Sequence, residues 1–328
     1  MYDAIMLGEL LIDFTQSGTS PAGMRLFEQN PGGAVANVAC VLSGFGKHTG
    51  FAGKVGADMH GDYLRSVLEE KGVDTRGLIS DPDVFTTLAF VSLSDSGERS
   101  FSFARKPGAD TCLCQGEIDM NMLQNCKIFH FGSLSLTDQP VRGATLTAVS
   151  AAKDAGAIIS YDPNYRASLW PNSETAITQM RSPLEHVDLI KISDEETVLL
   201  TGYEDPAAAA AALLDQGIGC VVVTLGANGA YAANCNGSVQ LSPPTITALD
   251  TTGAGDAFWG AFLYRLLEAD AKPSDLPKDA LADCVRFANA AGALCVQKRG
   301  GIPALPSLED VIDLLSSSKS KRAKVTSL

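Results

Sequence analysis

Apolar residues recur along the chain in two alternating rhythms. Short runs, Ala4-Ile5-Met6-Leu7, Phe51 to Val55, Ala157 to Tyr161, Asp188 to Ile192 and Cys220 to Thr224, have the length of strands. The last is a valine block of the kind buried on both faces of a parallel sheet. Between these runs lie segments whose apolar positions return every three to four residues, the period of a one-sided helix. They cover Ala34 to Leu42 (ending near Gly44), Tyr63 to Glu70 (stopped by Gly72), Ala144 to Ala155, Ala207 to Leu214 and Ala280 to Cys295. Strand and helix in alternation predict an α/β fold, a central mostly parallel sheet flanked by helices.

One stretch departs from that rhythm. Leu88 to Leu93 and Arg99 to Arg105 are strand-like runs joined through Asp95-Ser96-Gly97, a hairpin signal. Phe101 and Phe103 alternate with Ser100, Ser102 and Ala104, which gives the second run one apolar face. Together with strands from the Leu11 to Arg25 segment, these pieces predict a small β-sheet lid inserted into the main domain; an edge hairpin of the main sheet is the alternative. The expected division is 1–10, 33–84 and 115–315 for the α/β core, and 11–32 and 85–114 for the lid. The serine- and lysine-rich end, 316–328, reads as a disordered tail.

At 328 residues, 45% of them hydrophobic, the chain can bury a sizeable core. Its formal net charge of −13 argues against nucleic acid or an anionic membrane as a partner. The same charge sets a condition: any phosphate site must be locally positive within a negative field. Eight cysteines are scattered without a Cys-x-x-Cys pair, and His48, His60, His130 and His186 stand apart. Neither a zinc site nor a disulfide framework is therefore expected, and the thiols read as reduced. No apolar run is long enough to span a membrane, and Met1-Tyr2-Asp3 leads straight into a strand rather than a signal peptide, so a cytoplasmic protein is expected.

Candidate chemistry concentrates in Asp250-Thr251-Thr252-Gly253-Ala254-Gly255-Asp256, which runs into a helix-like stretch, Ala257 to Leu263. Its glycines let bare backbone amides crowd around an anion, and a helix N-terminus adds roughly half a positive charge. An ionised carboxylate is a poor companion for phosphate, so Asp256 needs a role of its own. A general base for an alcohol attacking a phosphoryl group supplies one. For an isolated Gly-x-Gly-Asp the plainer role, an acid complementing a helix dipole, is the commoner. A second glycine cluster, Pro31-Gly32-Gly33-Ala34-Val35-Ala36-Asn37, changes that balance. The Walker pattern and an early Gly-x-Gly-x-x-Gly are both missing, which leaves a P-loop enzyme or a dinucleotide dehydrogenase poorly supported.

These two glycine clusters resemble the signatures of the ribokinase-like (PfkB) carbohydrate kinases, with the nearest likeness to fructokinases. The resemblance runs from Gly8-Glu9 to about Pro306 through Gly8 to Phe14, Asn37-Val38-Ala39, Lys54-Val55-Gly56, Thr87 to Val91, Gly97-Glu98-Arg99, Pro107 to Asp110, Asp162-Pro163-Asn164-Tyr165-Arg166, Leu169-Trp170-Pro171 and Lys191-Ile192-Ser193. It implies that Asp13 and Asn37 bond sugar hydroxyls, that Gly32 and Gly33 admit the sugar close to the backbone, and that Arg166 holds a hydroxyl or a phosphoryl oxygen. Arg105 is a weaker candidate, reaching down from the lid. On the nucleotide side it implies Lys191, Ser193, Thr224, Gly226, Gly229, Gly253, Gly255 and Asn289. Glu196 stands where the family's Asn-x-x-Glu glutamate organises magnesium through water, with Ser193 replacing the asparagine. Asp250 and the Thr252 carbonyl match positions that hold a monovalent cation, potassium, in some relatives.

The function expected is thus ATP- and magnesium-dependent transfer of phosphate to the 6-hydroxyl of D-fructose. Asp256 is the general base, and the amides of Gly253, Ala254, Gly255 and Asp256 form the anion hole. A sibling kinase for ribose, 2-keto-3-deoxygluconate or aminoimidazole riboside is the alternative, as is a catalytically silent sugar-binding relative. The Phe101/Phe103 face would either pair two lids in a homodimer or rest on its own sugar cleft.

Overall fold

The computed structural model describes residues 1–93 and 99–325, with backbone alone for 92–93, 99–101 and 318–325. In chain order the strands are β1 (Tyr2–Leu7), β2 (Leu11–Thr19), β3 (Arg25–Gly32), β4 (Thr49–Gly56), β5 (Asp74–Asp81), β6 (Leu88–Leu93), β7 (Arg99–Ala104), β8 (Cys126–Gly132), β9 (Ile158–Asp162), β10 (Leu189–Ser193), β11 (Cys220–Thr224), β12 (Ala230–Asn234) and β13 (Gly237–Leu241). The helices are α1 (Ala34–Gly44), α2 (Met59–Glu70), α3 (Met120–Leu123), α4 (Val141–Asp154), α5 (Ser173–Arg181), α6 (Asp194–Thr201), α7 (Pro206–Leu214), α8 (Ala254–Ala269), α9 (Lys278–Cys295) and α10 (Leu308–Val325).

Nine strands form the main sheet in the order β13-β12-β11-β10-β9-β8-β1-β4-β5. It is parallel from β5 to β11, and at the other edge β12 is reversed, so that it pairs antiparallel with both β11 and β13. This is the α/β architecture the alternation predicts. The apolar runs are buried because helices cover both faces. One face packs against α1, α8 and α9 around Trp259 and Phe262; the other packs against α4, α5 and α7 around Phe129 and Tyr161.

A second, four-stranded sheet follows the order β3-β2-β6-β7. The Asp95-Ser96-Gly97 turn expected between β6 and β7 lies outside the described residues. Pairing settles which face is which. Asp13 lies beside Ala89, and Ala89 and Val91 oppose Phe103 and Phe101, so those positions share the face that carries Asp13. Phe14 and Phe90 stack on the opposite face, with Phe27 edge-on to Phe90.

The C-terminal segment differs from its expected form. Residues 316–325 continue α10 instead of forming an irregular tail. Val311, Leu314 and Leu315 seat the helix on the core, and Ser316 and Ser317 bond back to the carbonyls of Ile312 and Asp313.

Candidate active site

Parallel pairing brings the C-terminal ends of the strands to one edge. Gly132 lies level with Asp162, and Ser193 level with Thr224. Ligands of open α/β sheets collect at such an edge. The loop ahead of α8 crosses it, and Gly253 opens that helix at φ 75°, a conformation glycine adopts without strain. Three further residues put Asp256 in the first turn, half-buried.

Two helices fix the Asp256 carboxylate. Gly260 lets α8 approach α1 closely, since a Cβ there would meet Val41 at 2.7 Å. Across that contact Asn37 Nδ2 donates to Asp256 Oδ2 at 2.6 Å. From below, Trp259 Nε1 donates to Ser160 Oγ at 3.1 Å and holds the same helix to β9. Burial pushes the Asp256 carboxyl up to about 6, while Lys191 and the Asn37 bond pull it down and Asp162 pushes it up. A carboxyl so placed is largely ionised at neutral pH yet close to its proton affinity, as a general base requires.

Asp13, on β2, is near enough to Asp256 for the two carboxyls to interact. Burial pushes it up to about 6 as well, with Arg166 pulling it down and Asp256 and Asp250 pushing it up. A Cβ on Gly32 would lie 2.7 Å from Asp13 Oδ2, and one on Gly33 (φ 123°) would collide with the Glu9 carbonyl. The two glycines are therefore needed for the lid to meet α1. Glu9 caps that helix, taking the Ala34 NH at 2.7 Å on Oε1. Its Oε2 is buried with no hydrogen-bond partner among the described residues, and burial pushes the carboxyl up to about 7.

Positive charge is supplied locally. Lys191 is buried on β10 and paired with Asp162 of β9. Burial works against its charge, but Asp162, Glu196 and Asp256 together hold its pKa above the ordinary lysine value. Its Nζ lies 3.3 Å from where a Gly255 Cβ would be, so the ammonium sits directly under the anion loop. Glu196 and Ser193 form a capping box on α6. Glu196 accepts from the Ser193 NH at 2.7 Å and the Tyr165 NH at 2.6 Å. Each oxygen has one bond and retains a lone pair.

Two clefts flank the loop. One, of ≈ 380 Å³, is walled by Asp13, Thr15 and Asn30 on one side and by Asp250, Thr252 and Gly300 on the other. The second, of ≈ 610 Å³, holds Thr224, Gly226, Gly229, Gly255 and Asn289. The loop 250–256 is pinned by Asp250, which accepts from the Thr252 NH at 2.8 Å and the Gly300 NH at 3.2 Å.

Three of the expected residues are engaged by their surroundings. Arg105 does not reach into the cleft. Its guanidinium is buried and bonds Asp110 at 2.8 Å, Thr137 Oγ1 at 2.9 Å and the Leu134 carbonyl at 2.8 Å, which fastens the root of β7 to the core. Asn289 lines the second cleft, where one hydrogen of its amide goes to the Leu241 carbonyl at 2.8 Å and ties the side chain to the wall, leaving the second hydrogen and the oxygen for a ligand. Glu196 is first of all a backbone clamp. Arg166 is exposed and near enough to Asp13 and Asp256 to lower both. Sequence reasoning passed over Asp162, the partner of Lys191, although it stands in the Asp-Pro-Asn stretch. It also passed over the wall 242–248, an irregular segment with no periodic signal.

Residues 1–308 match the pfkB family carbohydrate kinase family. Probable fructokinase-4 of Arabidopsis thaliana is 42% identical over 319 residues, 96% of this chain and 97% of that one. The crystal structure of a Xylella fastidiosa fructokinase with bound ATP superimposes with a TM-score of 0.89 at 33% identity, covering 97% of this chain and all of that one (100%). A Vibrio cholerae O395 fructokinase, solved with fructose, ADP and a potassium ion, gives a TM-score of 0.86 at 33% identity over 95% of this chain and 98% of that one. With Asp256, the glycine loop ahead of α8 and two clefts gathered at the sheet edge, and a family match across nearly its whole length, this chain belongs to the pfkB family of carbohydrate kinases.

Proposed function

We propose that this chain is an ATP-dependent fructokinase that phosphorylates D-fructose on its 6-hydroxyl. The observation that carries the reading is a single one. A carboxyl that burial pushes up to about 6, fixed by Asn37, stands at a helix N-terminus whose loop separates a polar cleft from a larger, more apolar one. Likeness to named fructokinases over nearly the full chain supports the choice of sugar.

Sugar binds between Asp13, Asn37 and the Gly32-Gly33 backbone, with its 6-hydroxyl toward Asp256. As that oxygen bonds to the γ-phosphorus, Asp256 takes its proton, the bond from phosphorus to the bridging oxygen breaks, and ADP departs with that electron pair. Amides of Gly253 to Asp256 and the Lys191 ammonium meet the negative charge spread over the transferring oxygens. Arg166 stands where it can hold either substrate. Lowering the lid excludes water that would otherwise take the phosphoryl group.

Among the described residues no cluster of three His, Cys, Asp or Glu side chains is arranged to hold a metal ion. That suits magnesium, which is commonly held by phosphate oxygens, waters and one or two carboxylates. Glu196 would hold it through water with its remaining lone pairs, and the ion supplies neutralisation of the β and γ oxygens. Potassium at Asp250 and the Thr252 carbonyl would steady the loop; activity unchanged on replacing potassium with a bulky organic cation would remove that role. The outward lid face, where Phe27 and Phe90 are each 39% exposed, supports a homodimer paired through the lids, and sedimentation of the purified protein tests it. Among the described residues no helix is long and apolar enough to cross a membrane. The free cysteines fit a cytoplasmic setting.

The deciding experiment is a sugar panel with ATP and magnesium, with the position of the new phosphate read by NMR. Fructose 6-phosphate as the preferred product is expected. Preference for ribose, 2-keto-3-deoxygluconate or aminoimidazole riboside would overturn the choice of sugar, and fructose binding without ADP release would overturn the activity.

A further inference from the structure

The lid brings one more polar side chain to the sugar cleft. In the antiparallel pair of β2 and β3, Asn30 lies opposite Asp13 and Glu28 opposite Thr15. Residues directly across such a ladder point to the same side. Asn30 therefore stands beside Asp13 on the cleft face, and both line the ≈ 380 Å³ cleft.

Its amide is weakly engaged. Nδ2 makes two long contacts, 3.4 Å to Thr15 Oγ1 and 3.4 Å to the Glu28 carbonyl, at the far limit of useful hydrogen-bond length. Among the described residues no protein donor reaches Oδ1. A half-buried amide in that condition keeps a donor and an acceptor for something else. Room is reserved for it on the opposite wall. Gly300 has φ 87°, and a Cβ there would lie 2.9 Å from Asn30 Oδ1. Gly300 also donates its NH to Asp250, so the wall cannot retreat without loosening the loop before α8.

Position indicates what the amide would read. Gly301 lines the cleft and backs onto Asn37, the residue bonded to Asp256, with a Gly301 Cβ only 3.1 Å from Asn37 Oδ1. Asn30 and Gly300 are the next pair of facing residues toward the lid. If the 6-hydroxyl is at Asp256, the opposite end of a furanose ring comes to Asn30. In a ketofuranose C2 at that end bears both the anomeric hydroxyl and a hydroxymethyl group, and the two vicinal hydroxyls on C1 and C2 match an amide's paired donor and acceptor. An aldofuranose bears one hydroxyl and a hydrogen there.

We infer that Asn30 is a specificity-determining residue that hydrogen-bonds the C1–C2 end of the ketose and so favours ketohexoses over aldopentoses; this rests on the reading of the site as a fructose 6-kinase. Sites that bond a hydroxyl discriminate strongly against substrates that lack it, because the protein group is left unpaired.

The test is steady-state kinetics at saturating ATP on wild type, Asn30→Ala and Gly300→Ala. The substrates are D-fructose, 1-deoxy-D-fructose (no C1 hydroxyl) and 2,5-anhydro-D-mannitol (no anomeric hydroxyl). Asn30→Ala is expected to raise the KM for fructose about tenfold, with kcat and the KM for ATP within about twofold of wild type. On whichever analogue lacks the hydroxyl that Asn30 bonds, wild type already shows this loss and the substitution adds none. Gly300→Ala, strained at φ 87° and bonded to Asp250, is expected to raise the fructose KM and to lower kcat as well, so the KM-only pattern belongs to Asn30→Ala. Equal losses on fructose and on both analogues would overturn the inference, as would an unchanged fructose KM in Asn30→Ala. Wild-type protein that transfers no phosphate to fructose would overturn the reading of the site, and this inference with it.

Discussion

The two clefts beside the loop 250–256 are built on opposite plans. On the side proposed for the sugar the wall is polar and directional: Asp13, Thr15 and Asn30 from the lid face Asp250, Thr252 and Gly300 from the core. On the side proposed for the nucleotide most of the wall is apolar, with Pro243, Pro244, Ile246, Phe258, Ala293 and Val296 among its residues. A polyol offers hydroxyls and must be met by donors and acceptors at fixed places, whereas a purine offers a flat face that many apolar surfaces can accept. The first wall specifies residue types, and the second specifies little more than shape. Substitutions on the two sides should therefore fail in different ways.

The largest effect belongs to the group between them. Asp256→Asn keeps the shape and the contact with Asn37 but removes the proton acceptor. Its kcat is expected to fall by about 10²–10⁴-fold, with the KM values for both substrates and the thermal midpoint close to wild type. Turnover like that of wild type would refute the assignment of the base.

The same contrast explains what could be read in the sequence. Asp13, Gly32, Gly33, Asn37 and Asp256 could be picked out because each stands in a short motif where only that residue type suits the proposed task, and folding brings them together, with Asn37 bonded to Asp256 and Gly32 against Asp13. The nucleotide wall could not, since 242–248 has neither period nor charge. Arg105 misled because a sequence does not show whether a guanidinium is already engaged; Asp110, five residues on, takes its Nε. Asn289 was legible as a residue of the larger cleft, which it lines, but its bond to the carbonyl that ends β13 was not. Among the fold elements, β12 escaped notice because Ala230–Asn234 is rich in alanine and poor in β-branched residues. The long α10 was hidden by its serines and lysines, although Val311 and its neighbours give it an apolar seam.

Glu9 shows what the sugar side costs in stability. Its carboxyl caps α1 while buried, with a folded value about 7 against an ordinary 4.5. Between those values the folded chain keeps a proton that the unfolded chain has released, so stability falls as pH rises through that window. Glu9→Gln keeps the oxygen that accepts from Ala34 and never ionises. Denaturant unfolding should find the variant more stable than wild type at pH 8 by on the order of 3 kcal/mol, with most of that gap gone at pH 5. A gap that does not vary with pH would show that Glu9 is not buried as an acid.

Asp13 separates binding from chemistry on that side. Losing charge-assisted bonds to hydroxyls costs about 1.5–3 kcal/mol, so Asp13→Asn should raise the sugar KM by roughly 10–100-fold and leave the ATP KM unchanged. The pH profile sharpens the test. Asp13 and Asp256 are both held up to about 6, and both must be ionised to act. In wild type, kcat/KM for fructose should fall below about pH 6 with the slope of two protons; Asp13→Asn should leave the slope of one. An unchanged slope would mean that Asp13 does not meet the sugar as an anion.

The smallest effect tests the other plan. Ala293 is 8% exposed on α9 and lines the nucleotide cleft. Leucine there projects into space that has shape but little directional chemistry, and the ≈ 610 Å³ volume leaves a ligand some latitude to shift. Overpacking a less spacious wall would cost about 1–3 kcal/mol. Here the lower end applies, a rise in the ATP KM of about fivefold to tenfold, with the fructose KM and its pH profile unaltered. If Ala293→Leu instead raised the fructose KM as much as the ATP KM, the loop before α8 would be transmitting strain from one cleft to the other. The two sides would then be a single cooperative site, and the division drawn between them would fail.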